Sequence, residues 1–253
     1  MPGIALAVLV GLATCQVGLF VTTVYLHRTL AHRAIKMAPP LAFACRVLVW
    51  LTSGIQPRQW AAVHRKHHAY TDVEGDPHSP VLEGFLAVQF GNAWMYRRVA
   101  TDHQTVARYA RDLAPDRWDR VLFDHGVLGL ACGYGLVAAG LGWRLALIAW
   151  GVHIASYLML NAAVNSVGHS FGRRRYPNRA TNNQWLAWLV AGEGLHNNHH
   201  AAPTSARLAL AKGEIDPAWW LIAAARRLRW LTVRHSEPHF TAPIPRSPDF
   251  VEV

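Results

Sequence analysis

The sequence predicts an all-α integral membrane protein, and three observations carry that prediction. Hydrophobic residues make up 52% of the 253-residue chain and charged residues only 16%, a balance that sets much of the surface against something other than water. Residues 1–26 hold no charged side chain, enough to cross about 30 Å of hydrocarbon at the α-helical rise. Eleven tryptophans suit the headgroup region, where amphipathic rings settle. A net charge of +10 alone would fit nucleic acid, an acidic partner or the positive-inside bias of a membrane protein. Beside these apolar runs the last reading is preferred, and no nucleic-acid partner is expected.

Residues 3–26 form the first expected span. No basic stretch precedes it and no small-residue cleavage site follows it, so it does not read as a secretory signal. Residues 41–56 are about sixteen in number, contain Arg46, follow Pro39-Pro40 and precede Pro57, which predicts a re-entrant or interfacial helix. Residues 126–143 and 145–167, divided only by Arg144, predict a transmembrane hairpin, giving about three spans. Residues 57–120 and 168–235 form a helical cap, with "PAWWLIAAARRLRWLTVR" as an interfacial helix and 238–253 as a loose tail, all within one domain, 1–253. Cys15, Cys45 and Cys132 lie in apolar runs and read as small buried hydrophobes.

Basic residues fix the orientation. Arg28, Arg33, Lys36, Arg58, Arg65, Lys66 and the arginines at 173–175 flank the span ends opposite Arg144, which puts the cap in the cytoplasm and the N-terminus outside. In a bacterium the membrane would be the inner one. Arg58, Arg65 and Lys66 would neighbour an anionic partner, the alternative being solvated topology signals.

Of fifteen histidines, nine fall into four groups: His27 and His32 in "HRTLAH", His64, His67 and His68 in "HRKHH", His169 in "NSVGH", and His196, His199 and His200 in "HNNHH". If 41–56 does not cross the bilayer, all four groups meet on one cytoplasmic rim. In H-x-x-H-H the histidines at i, i+3 and i+4 share a helical face and can reach one metal or two neighbouring metals. The five-residue step from His27 to His32 does not align on an α-helix, which predicts a helix ending near Arg28 with the chain turning back. Imidazole suits iron, zinc or copper, and nine imidazoles exceed one structural site, so two metals are expected. His103, His125 and His153 read as hydrogen-bonded structural residues, and His235 and His239 as tail residues.

"HRTLAHR", "HRKHHAYTD" with "GDPH", "NSVGHSFG" and "GEGLHNNHH" together resemble the histidine boxes of the membrane fatty-acyl desaturases of the stearoyl-CoA desaturase type, over about residues 10–205. The resemblance implies two iron ions held by His27, His32, His64, His67, His68, His169, His196, His199 and His200, with Asn165 contacting one iron through water. An all-imidazole site would also accept zinc on overexpression. Asp76, Glu193 and Asn197 would orient ligands from behind. Also implied are dioxygen as co-substrate, a fatty-acyl substrate carried on coenzyme A or lipid, and a double bond as product. The family's membrane helix ahead of the first box has no counterpart before residue 3, an expectation that leaves an odd number of spans and a wall for a neighbouring subunit to supply. Electrons would come from a separate ferredoxin or cytochrome b5-like protein with its reductase. Two other readings are a hydroxylase of the same superfamily and a non-enzymatic membrane metal-binding or transport protein. The second would place ionisable groups along several spans, whereas His153 is the one histidine within them.

Overall fold

The computed structural model describes residues 2–235 and 238–241. Helices dominate, joined by one two-stranded sheet. Helix α1 (Pro2–Val21) passes without a break into a π-helical stretch, Thr22–Ala31, and α8 spans Trp143–Ser170. Among the described helices these two, Pro2–Ala31 and Trp143–Ser170, are long and apolar enough to cross a membrane. Helix α7 (Gly126–Leu141) has 16 residues, about 24 Å of rise against a hydrocarbon core of about 30 Å, so the expected span at 126–143 is shorter than foreseen. The hairpin turns at Gly142, not at Arg144, because the connection needs a φ of 77°, open to glycine and strained for most other residues.

Helix α2 (Pro39–Ser53) is the short apolar helix expected near 41–56, with 15 residues. Gly129 and Gly133, one turn apart on α7, lie so close to it that an added Cβ on either would meet the carbonyl oxygen of Trp50 or Leu51 at 2.3 Å; side-chain-free positions at this spacing let two helices approach to backbone contact. The one charge in α2, Arg46, is offset by Asp116 and Asp119 and lies 4.2 Å above the Phe123 ring. His153, fully buried, donates from Nε2 to the Thr52 carbonyl at 2.7 Å and ties α8 to α2.

The cap is built from two stretches of chain. The first holds α3 (Pro57–Ala69), α4 (Pro80–Glu83), α5 (Phe85–Ala100), α6 (His103–Tyr109) and a π-helical turn, Asp119–Phe123. The second holds α9 (Gln184–Leu189), α10 (His196–Ala201) and α11 (Pro217–Arg227). Strands β1 (Ile35–Met37) and β2 (Leu231–Val233) pair antiparallel, Ile35 opposite Val233, over a small core of Ala34, Ala206 and Ile222. Helix α11 buries Ile222 and exposes Trp220 and Leu221, the two faces expected of an interfacial helix.

Two expectations are corrected here. Arg28, counted by charge as a topology signal, is 1% exposed and forks onto Asp216 at 2.7 and 3.0 Å, clamping the π-helical stretch to the second half of the cap. Cys132 is exposed on α7, whereas Cys15 is buried as expected and Cys45 half-buried. Residues 238–241 reach back to the cap, where the Thr241 amide donates to the Ala201 carbonyl at 2.8 Å; the rest of the expected tail, 242–253, lies outside the described residues.

Candidate metal centre

The first pair of histidines is brought together by a change of helical winding. The His32 amide donates to the His27 carbonyl at 3.0 Å, an i→i+5 bond that stacks residues five apart on one face. The expected helix end near Arg28 is therefore overturned: the helix continues to Ala31, and the spacing that fails on an α-helix fits a π-helix. The two long boxes lie on α-helices, α3 and α10.

All nine histidines converge, in two neighbouring groups. The ring nitrogens of His27, His32, His64, His68 and His199 lie within 4.8 Å of one another, as do those of His67, His169, His196 and His200. The grouping is crossed. On α3, His64 and His68 at i and i+4 serve the first group and His67 serves the second; on α10, His196 and His200 serve the second and His199 the first. Within the first group, the Nε2 atoms of His27 and His199 stand 3.0 Å apart, those of His199 and His68 2.8 Å, and those of His32 and His64 2.7 Å. Within the second, His200 Nε2 is 3.2 Å from His196 Nε2 and 3.4 Å from His67 Nε2.

Carboxylates behind the imidazoles set the tautomers. Glu193 accepts from His27 Nδ1 at 2.9 Å, Asp76 from His67 Nδ1 at 2.9 Å and Asp72 from His169 Nδ1 at 2.8 Å. Burial works to raise these three carboxyls, but the imidazoles they face hold all three below their ordinary values, Asp76 at about 2. An ionised carboxylate only accepts, so each Nδ1 carries the proton and each Nε2 presents a lone pair to its group. Burial first, and neighbouring imidazoles second, push His64, His68, His196, His199 and His200 well below the usual histidine value, which keeps them neutral. His169 Nε2 is buried without a hydrogen-bond partner. Converging neutral lone pairs, one of them without a partner, suit a cation.

Asp76 and Glu193, expected behind the ligands, stand behind His67 and His27. Asp72 was not singled out, although its position in "HRKHHAYTD", four residues after His68, was a usable signal. His78, in the quoted "GDPH", was also passed over: it is 6% exposed, its ring centroid is 4.9 Å from that of His67, and neither ring nitrogen has a partner. Asn197 serves a different end from the one expected. Its side chain accepts from the amides of Arg175 and Tyr176, both at 2.8 Å, and donates to Asn178 Oδ1 and to the carbonyls of Tyr176 and Ala180. It anchors α10 to the preceding loop, and its side chain makes these hydrogen bonds with the loop and not with an imidazole. Arg65 is likewise spent inside the fold, on the carbonyls of Leu30, Ala31 and Tyr109 and on Asp112. That fills the guanidinium that an anionic head group would have used.

A cavity of about 350 Å³ reaches the histidines. Its wall includes His27, His64 and His196 at one end and Leu130, Ile154 and Tyr157 elsewhere. Trp60 stacks on His64 at 4.9 Å between centroids. Asn165, one turn before His169 on α8, also lines the cavity, its Nδ2 donating to Asn92 on α5 at 3.3 Å.

Fold and site together define a histidine-rich metalloprotein with apolar helices of membrane-crossing length, its metal groups on the wall of a largely apolar cavity. The sequence comparisons agree. The fatty acid desaturase family profile matches residues 3–240. The chain is 33% identical to an sn-1 stearoyl-lipid 9-desaturase of Anabaena variabilis, over 79% of this chain and 73% of that one. It is 32% identical to Delta-9 acyl-lipid desaturase 2 of Arabidopsis thaliana and 34% identical to an acyl-CoA C20 Delta5-desaturase of Anemone leveillei, in each case over 81% of this chain and 66% of the relative. The chain thus spans about two thirds to three quarters of the length of these relatives, and it belongs to the fatty acid desaturase family.

Proposed function

We propose that this oxidoreductase introduces a double bond into a long-chain fatty-acyl substrate at a pair of iron ions. Dioxygen is the co-substrate, and a redox partner such as a ferredoxin or a cytochrome b5-like protein with its reductase supplies electrons. The observation that carries the proposal is the pair of imidazole groups on the wall of an apolar cavity. His27, His32, His64, His68 and His199 would hold one iron and His67, His169, His196 and His200 the other; Asn165, by the family resemblance, would contact one of them through water. When bound, the irons supply activation of dioxygen for removing hydrogen from unactivated methylenes, a reaction beyond the acid-base range of side chains. Glu193, Asp76 and Asp72 keep protons on the outward nitrogens of His27, His67 and His169, so that the inward nitrogens stay basic. The cavity wall excludes water and holds two adjacent carbons beside the site, and that placement selects the bond.

The reading places the cap and the site on the cytoplasmic side, with α1, α7 and α8 crossing the membrane and α2 re-entering it. For α2 the support is its set of polar ties. The Ala38 amide donates to Trp230 of the cap at 2.8 Å, Arg46 pairs with Asp116 and Asp119, and Gln56 donates to the Asp124 carbonyl at 3.2 Å.

The test is the chain expressed with a reductase system and its products weighed by mass spectrometry. Loss of two hydrogens from the acyl chain is the expected outcome; gain of one oxygen would make the protein a hydroxylase of the same superfamily. His199→Ala should abolish oxygen-dependent product, and product at wild-type levels in that variant would overturn the diiron reading.

A further inference from the structure

The basic charge of the cap has one concentration that the metal groups do not use. Residues 171–182, "FGRRRYPNRATN", follow α8 with four arginines and no acidic residue. Arg173, Arg174, Arg175 and Arg179 are all exposed, and among the described residues none of the four pairs with a carboxylate. Arg65, by contrast, is already filled by its own fold.

The segment is built against the second imidazole group. Arg173 and Asn182 exchange backbone hydrogen bonds at 2.9 and 2.7 Å, which closes it into a loop. The loop wraps around Asn197, the residue after His196, whose Oδ1 accepts the Arg175 amide at 2.8 Å. Arg179 Nη1 donates to the Asp72 carbonyl at 2.8 Å, and the Asp72 carboxylate holds His169. A partner seated on the arginines is therefore joined to His196 and His169 by a short run of covalent and hydrogen bonds.

The loop also stands clear of the bilayer in the topology proposed above. At the far end of α8, Trp143 lies beside the Arg144 guanidinium, 5.2 Å from its ring centre, a pair suited to the opposite interface. From there the 28 residues of α8 rise about 42 Å, about 12 Å beyond a hydrocarbon core of about 30 Å and past a headgroup layer of roughly 5–7 Å. Arg173, Arg174 and Arg175 follow that end into water, within reach of a soluble protein.

We propose that Arg173, Arg174 and Arg175 form the docking surface for an acidic one-electron redox protein, which delivers its electrons on the side of the second imidazole group. The proposal rests on the desaturase reading and names the face that its redox partner uses. Two visits of the donor, each giving one electron, together with two protons from water, balance one dioxygen reduced to two waters as the acyl chain loses two hydrogens. A patch of one sign raises the encounter rate of an oppositely charged protein by about 10- to 1,000-fold.

Binding of an acidic [2Fe–2S] ferredoxin to the full-length protein in phosphatidylcholine nanodiscs is followed by surface plasmon resonance at rising salt, beside turnover with ferredoxin as the sole reductant. Binding is expected to weaken as salt rises. The triple variant R173E/R174E/R175E should slow association about 10-fold or more and raise the KM for ferredoxin. Iron content, melting temperature and kcat at saturating ferredoxin should stay unchanged. R173Q/R174Q/R175Q gives the same direction at smaller size should the glutamate variant fail to fold. R108E/R111E/R117E makes the same change in net charge away from the loop and should affect association far less. Wild-type association and KM in a folded loop variant would overturn the proposal, as would an equal loss in the distant variant. So would a loss confined to binding of phosphatidylglycerol vesicles, which would make the arginines lipid contacts. Arginine-dependent ferredoxin binding without product from any acyl substrate would leave the docking surface standing and sink the desaturase reading instead.

Discussion

Helices α3 and α10 carry the same H-x-x-H-H pattern and hand their histidines to the two imidazole groups in opposite senses, yet they are held by different means. Helix α3 has 13 residues and packs with Ala61, Ala62 and Val63 buried. Its spacer Arg65 reaches outward and secures the carbonyls of Leu30 and Ala31 at 2.7 and 2.8 Å, groups that a helix end leaves without intrahelical partners. Helix α10 has six residues, too few to persist unaided. Its spacers Asn197 and Asn198 are fully buried and grip the loops on either side. Asn198 donates to the Leu208 carbonyl at 2.9 Å and to Glu214 at 2.6 Å, and accepts from Asn182 at 2.7 Å. One helix braces its surroundings; the other is braced by them. Identical ligand spacing says nothing of which helix the rest of the fold must support.

Four experiments would sharpen or break this contrast. The largest effect belongs to the residues that cross between groups. His67→Ala and His199→Ala should each empty the group opposite to that served by the i, i+4 pair of their own helix, cutting product by about 100-fold or more, since even outer partners of ligands cost 10- to 100-fold. Metal content per chain, read beside turnover, checks the crossed assignment. Next, Asn198→Ala should destabilise by about 3 kcal/mol, because it strands buried partners at about 1–3 kcal/mol each. A thermal melt measures this, and an unchanged melt would mean α10 needs no such support. Arg65→Lys should cost less, about 1–2 kcal/mol, since a lysine keeps the charge but not the fork that reaches several acceptors at once. Its expected signature is a lowered melting temperature with both metals retained.

The smallest effect is one of pH. Burial works to raise the Asp112 carboxyl, but hydrogen bonds from Arg65 and Arg33 outweigh it and hold the group well below the usual carboxylate range. A folded-state value below the unfolded one means that its stabilisation is complete above the ordinary aspartate value of 3.8 and is lost as pH falls further. Melts recorded from neutral pH downward should show wild type losing stability below about pH 4, with Asp112→Asn flatter there. Parallel curves would remove Asp112 from the bracing of α3.

Much of the site was legible in the sequence because spacing and sidedness are local facts. Four short boxes, each near an apolar run, were enough to pick out the nine histidines that converge. What stayed hidden depended on geometry that residue type does not announce. The π-helical winding could not be read from "HRTLAH", since α-helical periodicity argued for a helix end there. The Arg28–Asp216 pair joins residues 188 positions apart, and nothing near Arg28 marks it as buried. The sequence set Arg65 beside an anionic partner and Asn197 behind the ligands, and only packing shows Arg65 as a brace and Asn197 and Asn198 as anchors. Spans were predicted by counting apolar residues, which made α7 longer than the glycine turn at Gly142 permits.

The crossed grouping also bears on how the protein is made. Four of the five histidines of the first group, His27, His32, His64 and His68, emerge within the first 68 residues of synthesis, while three of the four in the second group, His169, His196 and His200, arrive only in the last third of the chain. On the ribosome the first group can take up an ion early but stays unsealed until His199 appears. The second waits for α10 to close against His67. A single late segment of six residues therefore completes both groups at once, and a chain truncated before it would carry a half-built site with its imidazoles open to whatever metal is most abundant.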